Sequence, residues 1–573
     1  MQRKMTIRSA LDKRNLHYKL GGKGKLLFAV FLSVILINVS AQDQGEIEKV
    51  EIEIIKSKQI TLPKADRNFE KVSPRPAEPI KPEIMYEFAT VPFRSPEYNP
   101  AIRPLKLKAE PINKIYSNYL SGGYGNYASP YLEGYITNKR NRNKFFGAKL
   151  FHQSYGSGPV DAGNSASSST QLKVFARGFG QTMSGGGFVS FENWSNKFYG
   201  QLPGVFKGDA SAQSYSTFSA GADVGSKSSS NFNYRLTTGI SHLKDNFSSS
   251  ENELTVNFAS GYQFERNRKF VLTMDYSLMA RTFEPQQARS RHLFKTQAAY
   301  QFSPVENLKL SVGVNTAFQN DTLGIVKSVN IYPNIQANYE LRSGIQAYAS
   351  LTGDMDKVSL QKFAHENSWI DQNVLLNHTN RTIEFSGGFK INMLRKIAFD
   401  GGVSTANFKN LYFYQNLPAQ GERFAVVYDQ GNTQRFNLFG EFSLSGSDNV
   451  KALLRGDYFG YSTDKVSEAW HRPTYRVSFI SSYNIYNKIL LDVDFILQGG
   501  MKALSIEPPF SSGVFKTITI NPAADLNVKA SYVVSPQFSF FVKANNILDN
   551  QYQVYLYYPV RGFQALAGLT WSF

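Results

Sequence analysis

The sequence predicts an all-β fold class: a transmembrane antiparallel β-barrel of about 22 strands, preceded by a proline-rich extended segment. Three observations predict it. Aromatic residues make up 14% of the chain and charged residues only 19%. After residue 41, no apolar run approaches the roughly 20 residues that a membrane-spanning helix needs. From about residue 116, short segments alternate apolar and polar side chains, which is typical of strands that cross a bilayer.

The first 41 residues have the three parts of a secretory signal peptide. Residues 1–25 hold eight basic groups and one acidic group, the apolar run 26–37 follows, and small residues precede Gln42. We predict a signal peptide at 1–41, cleaved between Ala41 and Gln42. The alternative is a single anchoring helix, but about 12 apolar residues are fewer than a bilayer requires.

The formal net charge of +18 does not indicate a nucleic-acid partner. Residues 1–25 carry a net charge of +7, which leaves +11 for the remainder, and no basic stripe with interleaved aromatic residues occurs there. The excess fits a partly cationic lumen or contact with outer-membrane lipid and lipopolysaccharide. Because the sequence has no cysteine, disulfides and thiolate nucleophiles are excluded.

Residues 42–115 differ from the rest of the chain in their proline content. Ten of the 23 prolines lie between Pro63 and Pro111. Proline fixes φ and removes a backbone donor, so this range is expected to be an extended periplasmic or lumenal segment and not a packed domain.

Residues 116–573 are predicted to form the barrel. In the segment 254–264, Leu254, Val256 and Phe258 share one face, while Thr255 and Asn257 share the other. One face suits lipid and the other water. Ten tight turns and two ends predict 22 strands. The turns are expected at residues 138–144, 180–185, 226–231, 265–269, 303–307, 341–344, 394–396, 445–449, 486–488 and 535–537. Longer outer connections are expected at 157–168, 197–212, 354–380 and 499–513. The first outer connection, near Ala128, is short, so 20 strands is the alternative.

Seven charged residues on the polar faces of these strands are predicted to line the lumen. They are Lys309, Glu441, Lys451, Arg455, Asp457, Asp492 and Asp494. Burying an unpaired charge is costly, so we expect water, cross-strand ion pairs or a polar segment beside them.

The residues of enzymes and metal sites do not form a recognisable pattern. There is no Gly-x-Ser-x-Gly element, and the histidines are scattered without a metal-ligand spacing. We therefore expect no catalytic activity, no metal and no cofactor. Asp354 and Asp356 are interpreted as loop residues because two carboxylates are far fewer than the ligands of calcium. Trp369 and Trp470 are interpreted as aromatic-belt residues, with ligand stacking as the alternative.

The carboxy-terminal residues resemble the end of a TonB-dependent receptor. Residues 543–552 read Lys-Ala-Asn-Asn-Ile-Leu-Asp-Asn-Gln-Tyr, residues 558–563 read Tyr-Pro-Val-Arg-Gly-Phe, and a last alternating strand ends at Phe573. The likeness is specific over about 30 residues. The abundant aromatic residues and asparagine-rich turns also resemble proteins of Bacteroidota. The resemblance implies the outer membrane of a Gram-negative bacterium, and an insertion signal for the barrel-assembly machinery formed by Phe563, Leu569, Trp571 and Phe573.

Two functions follow as expectations. Receptors of this family pass or bind a solute across the outer membrane and carry a folded plug, for which the 74 residues of 42–115 are too few. The first hypothesis is a plugless receptor-like or transporter-like barrel. The alternative is a non-transporting scaffold subunit of a multi-protein outer-membrane machine for barrel assembly or secretion, which docks outer-membrane or periplasmic partners through residues 42–115.

Overall fold

The computed structural model describes residues 116–573, except 140, 161, 201–207, 228–230, 284–285, 323–326, 394–395, 418–419, 446–448 and 507–513. The predicted signal peptide and the proline-rich segment lie outside the described residues. Within the described part of the chain, no helix has the length and hydropathy needed to cross a bilayer.

Twenty-two strands form the main sheet. They are β1 (Asn118–Gly125), β2 (Ser129–Thr137), β3 (Lys144–Tyr155), β4 (Ser167–Phe179), β5 (Met183–Lys197), β6 (Ala212–Ser226), β7 (Phe232–Asp245), β8 (Ser249–Glu265), β9 (Arg268–Phe283), β10 (Gln286–Val305), β11 (Leu308–Gln319), β12 (Val329–Arg342), β13 (Ile345–Asp356), β14 (Thr379–Met393), β15 (Ile397–Leu417), β16 (Gln420–Leu444), β17 (Val450–Ser462), β18 (Tyr475–Ile485), β19 (Ile489–Gly499), β22 (Ala523–Val533), β23 (Phe538–Asn545) and β26 (Gln564–Ser572).

Four short strands and two helical turns lie in the connections. Hairpins are formed by β20 (Lys502–Ile506) with β21 (Phe515–Thr519) and by β24 (Gln553–Tyr555) with β25 (Tyr558–Pro559). The helix α1 (Leu360–Glu366) follows β13, and a 3-10 turn (Ala162–Ser165) follows β3.

The main sheet closes into a ring because its first and last strands pair. Strand β1 pairs antiparallel with β26, and the register joins Leu120 to Trp571. The backbones of Asn118 and Phe573 exchange two hydrogen bonds of 3.1 and 3.0 Å. Every neighbouring pair in the ring is antiparallel, so no strand has a free edge. The predicted barrel of 22 strands is confirmed, and the alternative of 20 is wrong.

The described strands end and begin beside each of the ten predicted tight turns, and these strand ends lie at one end of the ring. We call this the periplasmic end, since barrels of this kind have short periplasmic turns and longer outer connections. The first outer connection is short, as expected, because Tyr127 and Ala128 both adopt positive φ of 60° and 48° in the turn. Such paired positive φ values close a hairpin of two or three residues.

The alternation of side chains separates two faces of the wall. In β8, Tyr262 and Phe264 are exposed, whereas Asn257 on the opposite face donates a hydrogen bond to Asp275 of β9. The largest buried apolar cluster lies at the outer end of the ring and not along the wall.

Candidate functional site

The connection between β13 and β14, residues 357–378, is the candidate functional site, and we call it the cap. Its helix α1 is capped at the amino terminus by Ser359, whose Oγ accepts a hydrogen bond of 3.2 Å from the backbone N–H of Lys362. A serine in this place satisfies one of the donors that a helix start leaves free. Leu360, Phe363 and Ala364 recur at the spacing of one helix face, and all three are buried.

The cap crosses the mouth of the ring. The indole Nε1 of Trp369 donates a 3.0 Å hydrogen bond to the carbonyl of Lys197 at the end of β5. The carbonyl of Trp369 accepts a 3.0 Å bond from the N–H of Phe424 in β16. Strands β5 and β16 are the fifth and sixteenth of 22 in the ring, so they stand opposite each other. Because the cap contacts both of these opposite strands, the strand faces that it contacts are the ones that point into the ring.

The cap packs as a protein core. Val358, Phe363 and Ala364 are 0% exposed, and Ile370 is 2% exposed. They meet inward-facing side chains from both walls. These are Trp194, Tyr215 and Leu243 on one side, and Tyr412, Tyr414, Phe424 and Val426 on the other. Because apolar burial of this extent is the dominant stabilising contribution in folded proteins, the cap is held closed.

Charged groups of β8 and β9 bind the cap backbone. The carboxylate of Glu251 accepts hydrogen bonds of 3.0 and 3.2 Å from the N–H groups of Leu360 and Gln361. The carboxylate therefore lies at the start of α1, where the backbone N–H groups have no partner within the helix and favour a negative charge. Arg281 donates from its guanidinium to the carbonyls of Gln372 and Val374. The two ends of the cap are therefore tied to neighbouring strands.

A buried ionic cluster fastens the end of the cap. Arg291 of β10 binds both oxygens of Asp321 through Nε and Nη2 at 2.6 and 2.8 Å, and its Nη1 donates to the carbonyl of Val358 at 2.9 Å. The N–H of His378 donates to Asp321 at 2.7 Å, and its Nδ1 accepts from the N–H of Val358 at 3.0 Å. Burial and the charge of Arg291 lower the pKa of His378 to about 3, so the imidazole is neutral.

A second histidine joins two other outer connections to the wall. His471 Nδ1 donates to the carbonyl of Tyr414 at 2.7 Å, and its Nε2 accepts from the N–H of Leu556 at 3.3 Å. Burial lowers the pKa of His471 to about 4. Both histidines therefore hold their positions as neutral rings.

Beside the cap lies a cavity of about 340 Å³, which we call the outer-mouth cavity. Its walls come from the outer ends of β3, β4, β5, β22 and β26, from the connection 546–563 and from the cap itself. Its lining includes Tyr155, Tyr199, Trp369, Asp525, Tyr552 and Arg561. Tyr552 belongs to the carboxy-terminal motif that the sequence analysis singled out, and its hydroxyl donates to Asp525 at 2.7 Å.

The structure brings three of the seven predicted lumen charges together. Arg455 binds Asp457 through Nε at 2.8 Å and Glu441 through Nη1 at 3.2 Å. Asp492 accepts a 2.7 Å bond from Ser482 and faces Lys529 across the β19–β22 pair. Of the other three, Asp494 lies two residues after Asp492 on the same face of β19, Lys451 stands opposite Ser482 in the β17–β18 pair, and Lys309 stands opposite Asn338 in the β11–β12 pair.

The residues of the predicted insertion signal lie at the carboxy-terminal strand. Leu569, Trp571 and Phe573 are between 42 and 47% exposed, and the last two rings stack with centroids 4.1 Å apart. Phe563 precedes β26 in the last outer connection. Their part in insertion stays a prediction.

The interpretation of Trp369 and Trp470 as belt residues is wrong. A belt side chain faces lipid, but Trp470 is 2% exposed and Trp369 packs inside the mouth against Tyr558. Sequence reasoning also missed the cap. Its signal was Ser359 followed by apolar residues at helical spacing, within the predicted long outer connection 354–380.

Comparisons with known proteins find the fold of this barrel among solved structures. No protein-family model and no curated protein matches the chain. Solved structures do match. P. aeruginosa FpvA bound to heterologous pyoverdines aligns with a TM-score of 0.63 and 13% identity, over 80% of this chain and 72% of that chain. The ferric-catecholate import receptor Fiu of E. coli aligns with a TM-score of 0.59 and 10% identity, over 80% and 82%. The FrpB iron transporter of Neisseria meningitidis aligns with a TM-score of 0.60 and 9% identity, over 81% and 82%.

These likenesses show the fold. The chain has the same barrel fold as these proteins, and a closed barrel of this kind is located in the outer membrane. The structures it resembles include an import receptor and an iron transporter.

Proposed function

We propose that this protein is a plugless, receptor-like outer-membrane barrel that binds a solute at its outer mouth and passes it when the cap moves. The observation that carries the proposal is the cap itself, which crosses the ring from β5 to β16 beside a cavity of about 340 Å³. Ligand sites are concave and combine aromatic walls with a few polar groups. The outer-mouth cavity has this character.

The cap would take over the sealing that a plug supplies in other barrels of this width. A ring of 22 strands leaves a lumen that something must fill. Fully burying a large apolar side chain contributes about 1.5–3 kcal/mol. The four side chains of Val358, Leu360, Phe363 and Ile370 together thus contribute about 6–12 kcal/mol to closure. Spontaneous opening is rare at this energy, so passage needs a ligand or an energised partner.

The second candidate is the scaffold role, and the same closure favours it. A barrel that is permanently sealed by a core-like cap and a buried ion pair needs no further protein to prevent leakage. Such a barrel is suited to hold partners in the membrane, with residues 42–115 as the docking segment. In this role the protein would be a subunit of a larger outer-membrane assembly. Export through the signal peptide, insertion by the barrel-assembly machinery and an origin in Bacteroidota belong to both proposals.

Planar-bilayer conductance separates the two candidates. We would compare the full chain with a variant in which residues 359–377 are replaced by a short Gly-Ser linker. A solute-passing barrel opens in the presence of its solute, and the linker variant conducts without it. The control variant keeps the cap and carries Asp464→Asn, a substitution of an exposed residue in the connection 463–474. This change should leave conductance at the level of the full chain.

Gentle purification from native membranes provides the other measurement. If the full chain co-purifies with stoichiometric partners and shows no conductance with any solute tested, the scaffold role is established and the transport proposal is wrong. A monomer with solute-dependent conductance would do the reverse.

A further inference from the structure

We propose that the outer-mouth cavity binds a zwitterionic small molecule, a free amino acid or a short peptide. Its carboxylate would lie on Arg561 and its ammonium on Asp525. The inference deepens the proposed function by naming the class of solute, and it rests on the binding half of that proposal. Two charges that have no counter-charge among the described residues line this cavity, and aromatic rings line it as well.

Arg561 is the first of these charges. Its Nε donates to the carbonyl of Ser157 at 3.3 Å, and its Nη2 donates to the carbonyl of Ser165 at 3.0 Å and to Ser167 Oγ at 2.8 Å. These neutral partners orient the guanidinium and leave its charge uncompensated. Among the residues that the structure describes, no carboxylate oxygen lies within 4 Å of the Arg561 guanidinium. Its Nη1 donates a hydrogen bond to no described residue.

The surroundings of Arg561 make this charge costly. Its guanidinium lies over the ring of Tyr155, 4.1 Å from the centroid. Burial lowers its pKa, although an arginine remains protonated at neutral pH. A buried cation is normally paired with an anion, because desolvation otherwise destabilises it. The geometry therefore leaves one guanidinium edge for an anionic group inside the cavity.

Asp525 is the second charge. Its Oδ2 accepts the hydroxyl hydrogen of Tyr552, whereas Oδ1 is buried and accepts no hydrogen bond from any described residue. Within the same described ranges, no lysine, arginine or histidine nitrogen approaches it to 4 Å. A carboxylate has about four acceptor positions, and rotation about Cβ–Cγ exchanges its two oxygens at little cost. It can therefore receive a cationic donor from the cavity.

The two charges together select the class of ligand. They are not paired with each other, since no ion pair joins them. A simple anion would leave Asp525 without a partner, and a simple cation would leave Arg561 without one. A neutral sugar would compensate neither charge. Only a molecule that carries both charges compensates both, through charge-assisted hydrogen bonds to each.

The remaining walls describe the rest of the ligand. Trp369 and Tyr199 approach edge to face, with centroids 5.9 Å apart, and both line the cavity. Aromatic rings offer contact area to an apolar side chain. A volume of about 340 Å³ lies at the lower end of the range for small-molecule sites, so a single amino acid or a dipeptide is the expected size.

Isothermal titration calorimetry of the full chain in detergent tests the proposal with defined probes. The zwitterions are L-phenylalanine and glycyl-L-phenylalanine. The single-charge analogues are 3-phenylpropionate, which lacks the ammonium, and 2-phenylethylamine, which lacks the carboxylate. We expect at least one zwitterion to bind about tenfold or more tightly than either analogue, because each analogue leaves one buried charge unpaired. Equal affinities, or no binding of either zwitterion at 10 mM, would overturn the proposal.

Two variants separate recognition from mere folding. Arg561→Met should remove the preference for L-phenylalanine over 2-phenylethylamine, and Asp525→Asn should remove the preference over 3-phenylpropionate. A structural role would weaken all three probes equally, and this result would also contradict the proposal. The matched controls are Arg455→Met and Asp492→Asn, which alter charges on the wall away from this cavity and should keep both preferences.

The result of these binding measurements does not depend on whether the barrel transports a solute. Zwitterion binding by a barrel that never conducts would support this site and remove passage from the proposed function. Solute-dependent conductance without any preference for zwitterions would leave the proposed function in place and remove this inference alone.

Discussion

The indole of Trp369 lies flat on the ring of Tyr558, with centroids 3.9 Å apart and planes inclined by 26°. Trp369 belongs to the cap, and Tyr558 belongs to the last outer connection. A second bond joins the same two segments: the hydroxyl of Tyr555 donates to the carbonyl of Glu366, 189 residues earlier in the chain. The contact joins two connections that start from distant strands. The cap is therefore held by the carboxy-terminal region as well as by the strands around it.

The substitution Trp369→Ala should release the cap without unfolding the barrel. It removes the stack on Tyr558 and the hydrogen bond to Lys197, and truncation of a packed aromatic side chain costs about 3–5 kcal/mol. We expect faster amide hydrogen exchange in residues 357–378, measured by mass spectrometry. The control is Trp571→Ala, which truncates an exposed ring stacked on Phe573. Unchanged exchange in the cap would show that Trp369 does not hold it.

Acidification should loosen the cap through His378. Burial lowers its folded-state pKa to about 3, against about 6.5 when unfolded. The unfolded cap then binds more protons, so stability is complete above pH 6.5 and falls as the pH drops toward 3. At pH 5 the loss is about 2 kcal/mol. His471, with a pKa of about 4, adds a loss of the same sign.

Exchange rates of the cap between pH 7 and pH 5, corrected for intrinsic exchange, measure this effect. His378→Asn keeps an acceptor for the N–H of Val358 and does not titrate, so its pH dependence should be smaller. The control His242→Asn changes an exposed ring on β7 and should leave the profile as it is in the full chain. A profile that is flat in every variant would contradict the prediction.

The substitution Asp321→Asn should destabilise the outer end strongly. It leaves Arg291 buried without its carboxylate, and breaking a buried ion pair costs about 3–5 kcal/mol. The side chains of this pair are only 8% and 2% exposed. We expect a lower urea midpoint in detergent and protease cleavage within the cap. Asp464→Asn, at an exposed pair with Lys465, should change the free energy by less than about 1 kcal/mol.

The ion pairs of Arg455 should set the selectivity of the barrel once it is open. In the background with the shortened cap, Arg455→Gln leaves Glu441 and Asp457 without their cation. Two uncompensated carboxylates attract cations, so the reversal potential in a salt gradient should shift toward cation preference. Lys465→Gln, an exposed residue of an outer connection, serves as the control. No shift would mean that these charges do not line the conducting path.

The substitution Phe573→Ala should reduce insertion into the outer membrane. Its ring stacks on Trp571 and is 42% exposed at the periplasmic end of β26. The amount of heat-modifiable barrel in outer-membrane fractions measures the effect, and a severalfold decrease is expected. Phe540→Ala removes an equally exposed ring from β23 and is the matched control. Equal loss in both variants would point to general destabilisation.

The lumen charges show how far pattern reasoning reaches. Arg455 and Glu441 lie on different strands, and their polar faces were evident from alternation in each strand. Their partnership depends on register, because Glu441 stands opposite Arg455 only when β16 and β17 pair as they do here. A shift of one residue would place them on opposite faces.

The two tryptophans mark where this reasoning failed. Trp369 lies in a long outer connection, so the residue type and its position suggested the membrane interface. Its burial comes from Tyr558 and Lys197, which are remote in sequence and meet it only because the ring brings opposite walls within reach of one loop.

The sequence by itself determined the barrel, a strand number of 22 with 20 as the alternative, and the position of its turns, because strand length, two-residue alternation and turn residues are local properties that a bilayer constrains tightly. Only the tertiary structure decided that residues 357–378 close the outer mouth and that Arg561 and Asp525 line one cavity. The physical reason is that these contacts join strands across the ring, so they depend on closure and register, which no local pattern encodes.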